Sequence, residues 1–469
     1  MYSIFRPELH DAGLLYLDQI KNYMAGRLAG RELASTRLKK LNEVIAYVRQ
    51  GSPFYRRRLA AVDLSGNRRS LSAMVRALPY TTKDDLRNAG VSLCANPVTS
   101  AWIYYETTGT TGPATPCPRN EVDSLANNSF LTLQYQPIFR DKEHIIGVMG
   151  PTEVHSTGDT FEDVFRSLGH TVVKMWPRSP LIGMERALRL IRELKITALV
   201  CTPAVAAELL KFAKRNGVEP QRLGVETIFA LGELITPNRL KNLARNWNAR
   251  FFNCMYASQE ASILAACSDD NRLTTIPLNN YYELLCPFTG RNLEVGNDVV
   301  AGEMVVTHLY KGNKPLLRYR TGDMVRCTAG KNESWAIEPI GRVKDVLVLN
   351  EKRVYAFDIE NAIFEDLDYC FEYSIEITRA AGRDRLAITL ERCDELADAA
   401  RLARLRNKLE SRFGVAVEIR VGDAGNLIGV GAMVSWKAAR VHDRRESNDN
   451  RQSSDNLERR AALEIMKGR

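Results

Sequence analysis

The chain has 469 residues, 45% of them hydrophobic and 26% charged, which excludes a disordered or low-complexity protein and exceeds the length that one hydrophobic core fills, so two or more domains are expected. No apolar run reaches the roughly 20 residues that span a bilayer, and the N-terminus MYSIFRPELHD lacks the basic start and apolar core of a signal peptide. The net charge of +9 and pI near 9.0 suit a small anionic partner. No RNP motif or zinc finger accompanies that charge, so nucleic acid is not expected, and the arginines of 401–412 are expected on a solvated face.

The nine cysteines are scattered and form no CxxC pair. That argues against a disulfide framework or zinc ribbon and for a reducing cytoplasm. Cys254, Cys267 and Cys286 come nearest to a cluster, but no histidine follows at ligand spacing.

In chain order, 35–90 predicts helices with a break at Gly51–Pro53, since Leu41, Val44, Ile45 and Val48 recur at helical spacing. Thr81-Thr82 ahead of Lys83-Asp84-Asp85-Leu86 predicts an N-cap and a short helix. From 100 to 250 short apolar strands alternate with amphipathic helices. The strands are expected at 144–149, 171–175, 198–201, 227–230 and 250–254, and helices at 184–194 and 204–216. That alternation implies a parallel sheet flanked by helices, with ligands at the carboxyl ends of its strands. The stretch 278–350 predicts closely spaced β segments in a small barrel-like part. A last α+β segment has strands at 386–390 and 416–420 and a basic helix at 399–413. The polar stretch from 446 reads as a disordered tail.

Four motifs could carry chemistry. Thr107-Thr108-Gly109-Thr110-Thr111-Gly112 is too rich in small and hydroxyl residues for packing; its N–H and O–H groups suit an anion, although a polar surface turn has the same composition. It is not a Walker loop, having no terminal Gly-Lys-Ser/Thr. Met255-Tyr256-Ala257-Ser258-Gln259-Glu260 follows an apolar strand. Its acid is placed to ligate Mg²⁺ and its tyrosine to face a purine. The competing reading is a helix N-cap, with Ser258 capping and Glu260 in the first turn. Tyr319-Arg320-Thr321-Gly322-Asp323 with Gly341-Arg342-Val343-Lys344-Asp345 offers a carboxylate for ribose hydroxyls and an arginine beside it, or else a tight turn and a surface arginine. Trp436-Lys437-Ala438-Ala439-Arg440-Val441 holds a lysine that is either reactive or solvent-facing.

In order and spacing the four motifs resemble the adenylate-forming enzymes, in the phenylacetate–coenzyme A ligase-like branch. The resemblance runs to about Arg445 and includes Pro53-Phe54-Tyr55-Arg56-Arg57, the segment 78–86 and Gly302-Glu303-Met304-Val305-Val306-Thr307. It implies an α/β large domain over 1–343 with the ATP and acyl sites, and a small mobile α+β domain over 344–445. It implies ATP and Mg²⁺ as cofactors and transfer of an activated acid to a thiol, of coenzyme A or of a carrier-protein pantetheine, in a soluble protein that could pair as a homodimer. Thr107, Thr108, Gly109, Thr110, Thr111 and Gly112 would hold the β- and γ-phosphates, and Glu260 the metal. Gly232 and Glu233 would border adenine, with Tyr256 stacked on it. Asp323 would bind ribose with Arg342 beside it, Lys344 would fall at the hinge, and Lys437 would bridge the carboxylate and α-phosphate.

The sequence departs from that pattern at several points. Cys254 stands where an Asp or Asn helps read adenine, with Asn253 one place early. Gln259 replaces a Thr or Ser, and Ala257 replaces a glycine on the acyl wall. Asn350-Glu351-Lys352 replaces a glycine-bearing segment near the pantetheine tunnel, so Glu351 puts charge where backbone is expected. The branch favours aromatic acids; Phe252, Tyr135 and Phe139 could line an aryl pocket or be core. Glu351 and Ala257 leave open delivery to a carrier protein or an amine instead of coenzyme A. Cys254 and Gln259 leave open a nucleotide-binding member without turnover.

Overall fold

The computed structural model describes residues 7–64, 70–107, 113–140, 142–422 and 440–445. The tail expected over 446–469 lies outside them. The N-terminal part is helical: α1 (Pro7–Met24), α2 (Gly30–Gly51), α3 (Pro53–Arg58), α4 (Leu71–Ala77) and α5 (Lys83–Ala89). Leu41, Val44, Ile45 and Val48 are buried together on α2, as their spacing predicts. The break falls at Ser52, whose side chain accepts from the Tyr55 amide and caps α3. Thr82 and Asp85 form a reciprocal capping box that starts α5.

A hairpin of β1 (Ile103–Glu106) and β2 (Pro116–Arg119) leads into α6 (Glu121–Phe139). Next come β3 (Ile145–Met149), β4 (Thr171–Lys174), β5 (Ala198–Cys201), β6 (Thr227–Ala230) and β7 (Arg250–Asn253). They form the expected parallel sheet, in the order β4-β3-β5-β6-β7. The crossovers are α7 (Thr157–Ser167), α8 (Gly183–Glu193), α9 (Pro203–Arg215) and α10 (Pro237–Trp247). β5 and β6 are buried at every position, as strands covered on both faces must be. One face packs on the aromatic rings of Tyr135, Phe165, Phe229 and Phe252, the other on Ile191, Leu209, Leu243 and Trp247.

The β-rich stretch forms one eight-stranded antiparallel sheet. Its strands are β8 (Met255–Ser258), β9 (Ser262–Ala266), β10 (Leu273–Thr275), β11 (Asn280–Leu285), β12 (Asn292–Leu293), β13 (Val300–His308), β14 (Tyr319–Ala329) and β15 (Trp335–Arg342). A single turn over Val343–Asp345 then leads to a smaller α+β body. That body holds the hairpin β16 (Leu347–Leu349) and β17 (Lys352–Val354), α11 (Ala356–Ile363), β18 (Tyr373–Ala380), β19 (Arg383–Glu391), α12 (Ala399–Phe413), β20 (Ala416–Gly422) and β21 (Val441–Asp443). Its sheet runs β20-β19-β18-β21 around a separate core that includes Ile359, Ile375, Ile388, Leu405 and Phe413. On α12, Arg404 is 69% exposed at its side chain, in keeping with a solvated basic face. Among the described residues no helix is long and apolar enough to cross a membrane.

Candidate active site

A cavity opens where β6 and β7 end, against the antiparallel sheet and the small body. Gly232, Glu233, Asn253, Tyr256, Asp323 and Arg342 line it. Gly232 follows β6 with φ 76°, a left-handed conformation that glycine takes without a Cβ clash. Glu233 Oε2 accepts from the Ala204 amide at 3.2 Å, while its buried Oε1 has no hydrogen-bond partner. Tyr256, on β8, donates its hydroxyl to Asp323 Oδ2 at 2.9 Å. Asp323 and Arg342 face each other in the register of β14 and β15, which brings Arg342 Nε to 3.8 Å from Asp323 Oδ1. Burial pushes the Asp323 carboxyl above the usual range, against the pull of Arg342 and Tyr256.

Glu260 sits in the turn between β8 and β9. No helix starts here: Ser258 Oγ accepts from the Ala261 amide at 3.0 Å and closes a hairpin turn, so the helix-cap reading does not hold. Glu260 is 9% exposed. Its Oε1 accepts from the Tyr319 hydroxyl at 3.1 Å and lies 3.5 Å from Lys83 Nζ. Burial disfavours the charged carboxylate, but Lys83, the local backbone, Lys314 and Tyr319 outweigh it and hold Glu260 below the ordinary range. Local sequence marks Lys83 only as the first residue of α5. What places it is tertiary: Thr81 bridges to Tyr319, its amide donating to the Arg318 carbonyl at 3.0 Å, and this seats α5 beside Glu260. Gln259 Oε1 accepts from Ser156 at 2.7 Å, and its buried Nε2 has no acceptor.

Of the threonine–glycine loop, Thr107 is described. Its Oγ1 accepts from the Thr115 amide at 2.9 Å and its own amide donates to the Thr115 carbonyl at 3.1 Å, which closes the stem. Thr108, Gly109, Thr110, Thr111 and Gly112 lie outside the described residues, as does Lys437. Lys344 lies in the turn that joins the two bodies. Cys254 faces the core, fully buried, with its thiol pushed up to about 12 by burial, and its carbonyl accepts from the Tyr135 hydroxyl at 3.0 Å. Asn253, one place early in sequence, is the residue that lines the cavity. Ala257 lines it too. Tyr135, Phe139 and Phe252 belong instead to the aromatic core under the sheet. Glu351 is left-handed, φ 70°, after Asn350 at φ 43°, as a two-residue hairpin loop between β16 and β17 requires.

Residues 352–445 match the family model described as AMP-binding enzyme C-terminal domain. The chain is 28% identical to a phenylacetate–coenzyme A ligase of Thermus thermophilus over 77% of this chain and 81% of that protein. It is 24% identical to a phenylacetate–coenzyme A ligase of Pseudomonas putida over 93% of this chain and 98% of that one. Its fold matches 2-hydroxyisobutyryl-CoA ligase in the postadenylation state with a TM-score of 0.76 at 19% identity, covering 92% of this chain and 93% of that one. Against the same ligase in the thioesterification state the TM-score is 0.62 at 20% identity, covering 90% and 93%.

Proposed function

We propose that this chain is an adenylate-forming acid–thiol ligase of the phenylacetate–coenzyme A ligase-like branch, which activates a carboxylic acid with ATP and passes the acyl group to the thiol of coenzyme A. The observation that carries the site assignment is convergence. Gly232, Tyr256, Asp323 and Arg342 come from separate elements yet line one cavity, with Glu260 two residues beyond the end of β8.

In the first step an oxygen of the acid attacks the α-phosphorus, the bond from that phosphorus to the bridging oxygen breaks, and pyrophosphate leaves. Both reactants are anions, so the protein's task is to neutralise charge and align the groups. The arrangement fits a nucleotide: Asp323 accepts from ribose hydroxyls, Arg342 stands beside it, and Tyr256 offers its ring to the purine. The orphaned Oε1 of Glu233 is an acceptor for the adenine amino group, and the orphaned Nε2 of Gln259 a donor for a phosphate oxygen. Asn253 takes the adenine-reading place that Cys254 vacates. Glu260 is a single buried carboxylate held ionised, which fits Mg²⁺ that takes its other ligands from phosphate and water. Such an ion would supply charge neutralisation at the phosphates. Lys83 lies close enough to share that duty. Lys437 is assigned to the acid carboxylate and α-phosphate, and Thr107 with the loop after it to the pyrophosphate. In the second step the thiol loses its proton, its sulfur attacks the acyl carbon, and the acyl–oxygen bond to AMP breaks.

An aromatic acid is the substrate class proposed, supported by the phenylacetate ligases to which the chain is similar. Acid-dependent ATP–pyrophosphate exchange, with aromatic acids tried first, tests the proposal. Exchange that disappears in Lys437→Ala supports it; no exchange across a broad acid panel sinks it in favour of a nucleotide-binding protein without turnover. Glu351, charged and at a hairpin tip, favours a second reading in which a carrier protein or an amine receives the acyl group. Efficient formation of a coenzyme A thioester rejects that second reading.

A further inference from the structure

A second cluster of charge lies in the seam between the large and small bodies. Arg239 on α10 is 0% exposed and reaches two carboxylates of the small body. Its Nη1 stands 3.6 Å from Glu360 Oε2, and its Nη2 3.6 Å from Glu372 Oε1. Glu360 also accepts from Thr236 Oγ1 at 3.0 Å and from the Tyr373 hydroxyl at 2.7 Å. Glu372 meets a second cation, Arg440, whose Nη2 lies 3.7 Å from Glu372 Oε2. Arg440 is 2% exposed, and it also lines the cavity that holds Asp323 and Arg342.

Two cations balance two carboxylates, so the cluster is neutral as a whole. It is loosely made all the same. Contacts of 3.6–3.7 Å are longer than hydrogen bonds, and both Glu372 oxygens, Arg239 Nε and Nη1, and Arg440 Nε lack hydrogen-bond partners. A seam that stays closed gains more from apolar packing than from such pairs. A seam that opens gains from charge, because water re-solvates each group once the faces part. Its surroundings mix polar and apolar contacts: Asn238 pairs with Asn361 at 2.8 and 3.0 Å and Asn246 donates to the Asp368 carbonyl at 2.8 Å, while Phe371 packs into the core of the large body and Phe357 against Met324 and Ile340.

We infer that Arg239, Glu372 and Arg440 form a charge latch that docks the small body for adenylate formation, with Arg440 as a positioning residue in the cavity wall, and that the latch opens for acyl transfer. This rests on the function proposed above, so the test includes an arm that needs no activity. In the full-length protein, phenylacetate-dependent ATP–pyrophosphate exchange is compared with thioester formation from supplied phenylacetyl-adenylate and coenzyme A. Glu372→Gln is expected to slow exchange by about tenfold or more, as loss of one partner of a buried pair should, while thioester formation stays within about twofold or rises. Arg440→Lys is expected to keep most of the exchange that Arg440→Met loses. Parallel loss of both half-reactions, or no change in either, overturns the latch. If the wild type gives no exchange, limited proteolysis at the 343–346 junction decides: protection lost in Glu372→Gln supports the latch and leaves only the function in question, whereas identical cleavage overturns it.

Discussion

The parallel sheet and the seam beside it are both buried, yet the seam adds buried charge to its apolar contacts. Under the sheet, Phe229 packs against the rings of Tyr135, Phe139, Phe165 and Phe252 with centroids 5.0–5.7 Å apart. In the seam, the fully buried Arg239 and Glu360 lie with Glu372 and Arg440, beside apolar contacts that Phe371 and Phe357 make with the large body. Apolar burial is non-directional and grows with area, so it holds together parts that never separate. Charge is costly to bury and gains little net stability, but it specifies one docked geometry and tolerates water when that geometry is lost. The difference teaches which contacts build the protein and which let it work.

The sharpest break falls on the sheet side. Phe229→Ala should cost about 3–5 kcal/mol in urea-induced unfolding, since it leaves a cavity among four rings that cannot collapse. A cost below about 1 kcal/mol would mean that this core is as adaptable as the seam.

A pH experiment sharpens the same contrast. His308 is buried in the large body, with Nε2 toward the Ala261 carbonyl at 3.1 Å and Nδ1 accepting from the Leu316 amide at 3.3 Å. Burial, partly offset by the bond to the Ala261 carbonyl and reinforced by the charges of Lys314 and Arg119, lowers its pKa from 6.5 to about 4. The unfolded chain therefore takes up a proton below pH 6.5 that the folded chain refuses. The stability is intact above pH 6.5 and is lost as pH falls from 6.5 toward 4, by about 3 kcal/mol at most. Unfolding at pH 7.5 and pH 5 should differ less in His308→Gln than in the wild type; equal differences would assign the acid sensitivity elsewhere.

At the cavity, between the two regions, the expected effect is smaller. Asp323→Ala removes the acceptor proposed for ribose and strands Tyr256, so ATP affinity by calorimetry should fall by about 2 kcal/mol, roughly thirtyfold. Unchanged affinity would remove Asp323 from the nucleotide site.

Most of the sheet side was legible in the sequence. The strands at 198–201 and 227–230, like the helix at 399–413 in the small body, have the bounds that periodicity predicts, because apolar runs and amphipathic spacing are local signals. The cavity was legible through motif order, since Tyr256, Asp323 and Arg342 each follow a strand or a turn that a local pattern marks. The seam was not. Arg440 stands in a basic stretch that reads as solvated, and nothing local tells that Glu372 and Arg239 wait for it. Lys83 was missed for the same reason: its partner Glu260 is brought near only by the pairing of Thr81 with Tyr319. Cys254 and Asn253 show a finer limit: where the chain leaves β7, Asn253 lines the cavity and Cys254 turns into the core, and a shift of one residue reverses the answer.

The smallest effect tests whether the small body carries a specificity device as well as a latch. Asn350 and Glu351 both sit at positive φ in the loop between β16 and β17. Asn350 is tied down, its amide donating to Asp384 Oδ2 at 2.8 Å and its side chain accepting from the Asp384 amide at 2.9 Å. Glu351 is exposed and carries the strain of a left-handed side-chain residue. Glu351→Gly should therefore raise stability by about 0.5–1 kcal/mol, with the exchange rate unchanged. If the charge at this tip is what disfavours pantetheine, the same substitution raises coenzyme A thioester formation; Glu351→Gln separates the two causes, because it removes the charge and keeps the strain. A gain in transfer with glycine alone would make backbone shape the determinant. A gain with both would make it charge, and would show that one hairpin of the small body sets the acceptor while the buried cations set its docking.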